Sequence, residues 1–123
     1  MAFSCWLISE ESRAMLLARF PPKFPDVIAH HITSSIGNIK FLNPPPEATI
    51  KVIGYSTDDE GLEALVVSID DTQVNSNGKI FHITWSLDRN LGYKPMHSAN
   101  IIAEFGWQPI DPIQIKGIPS VFN

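Results

Sequence analysis

The chain has 123 residues, of which 44% are hydrophobic, and its nine lysines and arginines are outnumbered by thirteen aspartates and glutamates, for a formal net charge of −4. That length and composition fit one domain, residues 1–123, with a real core. No apolar run approaches the roughly 18–20 residues of a membrane helix, and the acidic balance argues against a protein that holds long duplex nucleic acid by its backbone.

In chain order, Ala2–Ile8 is rich in aromatic and branched residues and predicts a buried strand. It carries no basic leader and runs into Glu10 and Glu11, so it does not read as a signal peptide. Cys5, the single cysteine, cannot form an internal disulfide and reads as a buried, inert thiol. Ser9 is a candidate N-cap for a helix from Glu10 to about Arg19, with Ala14, Met15, Leu17 and Ala18 expected towards the core. Phe20-Pro21-Pro22 stops it. Asp26 to Ser34 predicts a strand in which Val27, Ala29, His31 and Thr33 share one face, opposite Ile28, His30, Ile32 and Ser34. A loop through the triple proline 44–46 leads to a hairpin of strands 48–55 and 62–69, joined by the turn 56–61. After a polar loop, Lys79 to Leu87 predicts a strand with Ile80, His82, Thr84 and Ser86 on one face and Phe81, Ile83, Trp85 and Leu87 on the other. A short helix is expected from about Met96 to Glu104, closed by Gly106. The proline-bearing tail is expected to add at most an edge strand around Ile113–Ile115. The order predicts an α+β sandwich of antiparallel-rich sheets, with one main N-terminal helix and a short second one.

Two stretches of this chain say nearly the same thing. His31-Ile32-Thr33-Ser34-Ser35-Ile36 is matched by His82-Ile83-Thr84-Trp85-Ser86-Leu87, in which His, Ile, Thr and the later Ser recur at the same offsets. In a strand, a His and a Thr two residues on present imidazole and hydroxyl to the same side. Two such strands side by side would surround one cavity with two imidazoles and two hydroxyls. One His, neutral, can accept a proton from an attacking hydroxyl or water, and the other, charged, can return one to the leaving oxygen. The threonine hydroxyls can stabilise the non-bridging oxygens in the transition state. The sequence does not say which His is acid and which is base.

Paired His-x-Thr phrases in a small α+β chain opening strand–helix–strand resemble the two-histidine (2H, LigT-like) phosphoesterase superfamily, most of all its compact bacterial and phage-type members. The resemblance implies two lobes with one motif strand from each facing a central cleft. It implies His31, Thr33, His82 and Thr84 as catalytic residues. It also implies metal-independent cleavage, without a cofactor, of a small RNA-derived or cyclic nucleotide phosphodiester: a 2′,3′-cyclic phosphate, a 2′–5′ linkage or a cyclic-dinucleotide signal.

For substrate binding, Lys94 and Lys40 are candidate phosphate partners alongside Lys79 and Arg89. Tyr93 is a candidate base-stacking ring with Tyr55, Trp6 and Trp107, and Ser86 shares the His82–Thr84 face. His30 and His97 are set aside as structural. Adjacent His30 and His31 are expected to point apart, and no Cys or His pair has zinc-site spacing, so no metal site is expected. The expected partner is a small nucleotide or short RNA, with no long duplex and no membrane, and the expected state is a cytoplasmic monomer. The alternative reading is a non-catalytic nucleotide- or protein-binding module on the same fold.

Overall fold

The computed structural model describes residues 1–123 as strands β1 (Ala2–Ile8), β2 (Asp26–Val27), β3 (His31–Gly37), β4 (Ile50–Thr57), β5 (Leu62–Ile69), β6 (His82–Leu87), β7 (Gln108–Ile115) and β8 (Gly117–Phe122), with helices α1 (Glu10–Arg19) and α2 (Ser98–Phe105). This is an α+β chain built on one antiparallel sheet with the order β7-β4-β5-β6-β3-β1-β8, β2 pairing beside β3 on β6. No helix is long and apolar enough to cross a membrane.

Helix α1 begins where the sequence marks it: the Ser9 hydroxyl accepts from the Ser12 N–H at 3.2 Å, and Glu10 and Glu11 occupy the first turn. Its inward face differs from the expectation. Ser12 and Leu16 are buried, whereas Ala14, Met15 and Ala18 are exposed. Two hydrogen bonds set that rotation. The Ser12 hydroxyl accepts from the Lys116 N–H at 2.9 Å, and Arg13 Nε donates to the Ala29 carbonyl at 2.9 Å.

Both faces of the sheet are covered at its centre. One face, with Leu16 of α1, encloses a core of Trp6, Ile32, Val52, Leu65, Ile83 and Trp85. On the other, Ile101 and Ile102 of α2 pack on Leu62, Ala64, Val66 and Leu87. Strand β5, between the two layers, is buried along its whole length.

The tail supplies two strands rather than one. Strand β7 pairs with β4 and β8 with β1, so residues 108–122 form both sheet edges. Prolines 109, 112 and 119 fit because an edge strand leaves half of its N–H groups unpaired. Only Lys116 separates the two strands, so the sheet edges converge there into a half-barrel. Gly117 permits the approach: a Cβ at this position would lie 2.5 Å from Ile50 Cδ1 and 2.8 Å from Trp6 Cβ. Gly117→Val is therefore expected to destabilise the fold by about 1–3 kcal/mol, the usual cost of overpacking, measurable by urea denaturation.

Candidate active site

The two repeated phrases meet. Strands β3 and β6 are neighbours, antiparallel, with Ile32 opposite Ile83 in the core. His31, Thr33, His82 and Thr84 all line one cleft of about 560 Å³ on the other face of the sheet, a volume suited to a small ligand. Phe3 of β1, Pro95 and Met96 before α2, and the segment Lys79–Phe81 complete its walls. None of the sixteen lining residues is acidic, and Lys79 is the one lysine among them. In a chain of net charge −4, the acids have been kept out of this cleft.

The strand expected over Asp26–Ser34 is broken. Ala29, fully buried, takes a φ of 43°, in the left-handed region that costs a residue with a Cβ about 1–2 kcal/mol. Up to that point the chain bonds β6 in one register, with the Ala29 N–H donating to the Thr84 carbonyl at 3.0 Å. It resumes with Ile32 opposite Ile83, so His30 and His31 bulge out between the two registers. The alternation of faces is reset there: Ile28 lines the cleft, and His30 lies beside His31 instead of opposite it. The two Nδ1 atoms are 2.9 Å apart, and the rings meet edge to face with centroids separated by 5.1 Å. His31 also stacks on Phe3 at 4.7 Å.

His31 is held well below the ordinary histidine value, at about 4, first by burial and then by the neighbouring imidazoles of His30 and His82. His82 is also lowered by burial, but less simply. A hydrogen bond to the Ile80 carbonyl favours its charged form, while Lys79 opposes it. That bond, 2.9 Å from Nδ1, fixes the tautomer: a carbonyl only accepts, so Nδ1 carries the proton and Nε2 is the free nitrogen.

The folded chain resists protonating these rings, and the unfolded chain does not. Stability is therefore complete above about pH 6.5 and drains away as pH falls towards 4, because the unfolded state binds more protons in that window. Thermal unfolding midpoints recorded from pH 8 to 4 are expected to drop below pH 6.5. A His31→Phe/His82→Phe double variant is expected to flatten that drop.

The two threonines are not equivalent. Thr33 is half-buried on the cleft wall. Thr84 is buried, its Oγ1 lying 2.7 Å from the Ser98 hydroxyl and 3.4 Å from the Pro95 carbonyl. Thr84 thus also docks the start of α2 onto β6. Ser98 has no signal in the sequence beyond its place at the head of a helix.

The four residues expected to bind substrate lie outside this cleft. Ser86 is buried on the opposite face, its hydroxyl donating to Glu63 and accepting from the Phe24 N–H at 3.2 Å. The cause is a bulge: Ser86 pairs with Glu63 and Thr84 with Ala64, leaving Trp85 as the extra residue and reversing the alternation after it. Tyr93 packs its ring against Gly61, where a Cβ would come within 2.2 Å of it, and donates its hydroxyl to Asp58 at 2.6 Å. Lys94 is exposed at the head of the 3-10 turn Pro95–His97 and does not line the cleft, although Pro95 and Met96 do. Lys40 is exposed on the turn Ile39–Phe41, also away from the lining. The cation at the cleft is Lys79. His97 accepts from the Lys94 N–H through Nδ1 at 3.1 Å, a capping role. Burial pushes the Cys5 thiol up to about 11, so it stays protonated and unreactive.

Comparison of the chain with protein-family models, with curated proteins and with solved structures gives no match.

Proposed function

We propose that the protein is a phosphodiesterase of the two-histidine type, acting on a small RNA-derived or cyclic nucleotide through His31, Thr33, His82 and Thr84 without a metal ion. One observation carries this reading: both His-x-Thr pairs open into a single cleft that has no acidic residue and one lysine. An anionic phosphodiester is the ligand such a lining favours.

Burial and the adjacent imidazoles keep His31 neutral, which suits it to accept the proton of the attacking hydroxyl or water. His82 is the better acid. Its Nδ1–H is held by the Ile80 carbonyl, which supports the ring when Nε2 also carries a proton to give to the leaving oxygen. Thr33 donates to one non-bridging oxygen. Thr84 can accept from Ser98 and exchange its long contact with Pro95 for a second non-bridging oxygen. Lys79 offsets the charge of the phosphate at the cleft. The pairing of β3 with β6 supports the family's arrangement of facing motif strands, with the β1–β3–β8 and β4–β5–β6–β7 halves as its two lobes.

The test is turnover of a panel of 2′,3′-cyclic nucleotides, 2′–5′ oligoadenylates and cyclic dinucleotides, with chelator present throughout. Cleavage of at least one class is expected. Binding of a nucleotide with no product after prolonged incubation would point instead to a non-catalytic nucleotide-binding module.

A further inference from the structure

His30 was expected to point away from His31, yet the backbone is strained to bring the two rings together. In a regular strand adjacent side chains project to opposite faces. The left-handed Ala29 and the two-residue bulge after it undo that alternation, and the result is a ring-to-ring hydrogen bond. From this geometry we infer that His30 is a positioning residue for His31: its Nδ1 accepts the Nδ1–H of His31 and leaves His31 Nε2 as the free nitrogen of the site. The inference rests on the phosphodiesterase reading for its purpose, but not for its geometry.

With the Nδ1 atoms 2.9 Å apart, one ring must donate and the other accept. If His30 donated, the neutral His31 would carry its proton on Nε2 and could not act as a base there. If His31 donates, Nε2 holds a lone pair. It can then take a proton while the bond to His30 persists. The second half of the molecule solves the same problem with a backbone group, since His82 Nδ1 bonds the Ile80 carbonyl at the same 2.9 Å. Each motif histidine is thereby held by Nδ1, one by a carbonyl and one by a neighbouring imidazole. His30 is itself fixed, its ring packing on Phe122 of β8 at 5.4 Å.

The experiment is ring ¹⁵N NMR of the full chain, histidine by histidine, near pH 7.5, on the wild type, His30→Phe and His30→Asn. Phenylalanine preserves the packing on Phe122 without an acceptor, and asparagine restores an acceptor near the position of Nδ1. The expected result is an Nδ1–H tautomer for His31 in the wild type and in His30→Asn. In His30→Phe a shift towards Nε2–H is expected, with His82 unchanged as Nδ1–H. Turnover of whichever phosphodiester is cleaved is expected to fall at least tenfold in His30→Phe, mainly in kcat, and to recover in His30→Asn. An Nε2–H tautomer for His31 in the wild type, or an Nδ1–H tautomer that persists in His30→Phe, overturns the inference. The expected tautomers with no turnover of any substrate uphold the hydrogen-bond assignment and overturn the phosphodiesterase reading instead.

Discussion

Replacing His82 with alanine is expected to slow phosphodiester cleavage by about 10²–10⁴-fold, the range that one positioned acid or base contributes. The loss should appear in kcat, because the proton transfer is made only in the transition state. His31→Ala is expected to lose a similar factor, and the double variant much less than the product of the two, since acid and base act in one event. The pH profile gives a second, independent reading. The active form pairs a neutral His31 with a charged His82, and both rings are displaced downward, His31 to about 4. kcat/KM should therefore peak below pH 6.5, decline towards pH 4 as His31 gains its proton, and decline above the optimum as His82 loses its own. Full activity in His82→Ala, or an optimum well above pH 7, would sink the assignment of the two roles.

The largest effect on stability is expected at Glu63. This carboxylate is 1% exposed, at the second position of the fully buried strand β5. It accepts from the Lys23 N–H and the Tyr55 hydroxyl, each at 2.7 Å, and from the Ser86 hydroxyl. Those three donors come from the loop after α1, from β4 and from β6, so one side chain ties three parts of the molecule. The Tyr55 phenol is raised, first by burial and then by its bond to Glu63, and stays protonated as a donor. Glu63→Ala leaves all three donors without their acceptor. At about 1–3 kcal/mol for each buried group left unsatisfied, a loss of about 3 kcal/mol or more is expected, a large part of the total stability of a domain this size. Glu63→Gln keeps one carbonyl oxygen but turns its amide towards a donor, and is expected to cost less. Chemical denaturation of both variants checks the order, and a Glu63→Ala protein as stable as its parent would contradict it.

What could be read from the sequence was what depends on local pattern. The Ser9 cap, the proline stop, the hairpin of β4 and β5 and the shared face of each His with its Thr follow from spacing of two or from side-chain chemistry within a few residues. The hidden features depend on distant partners. Ser86 left the His82 face because β5 imposes a bulge at Trp85, and a period-two count has no sight of a neighbouring strand's register. His30 joined His31 because Ala29 adopts a conformation that alanine's composition does not advertise. The burial of Glu63 follows from packing on both faces of the sheet, which no local pattern around it shows. Strand β8 was masked by Pro119, which an outer position accommodates. The two His-x-Thr pairs reach one cleft because Ile32 and Ile83, each lying between its His and its Thr, pair across β3 and β6.

The junction at Lys116 bears on how the chain reaches this state. Strands β7 and β8 come after the strands they pair with, β7 with β4 and β8 with β1, the latter more than a hundred residues earlier in the chain. Contacts of such sequence separation form late, because the loop entropy must be overcome before the pairing rewards it. Until the closing segment zips home, both flanks of the sheet offer open ladders to any other chain. Refolding yield is thus expected to fall with protein concentration, and a chain ending before Gln108 to form insoluble aggregates, although it keeps both His-x-Thr phrases.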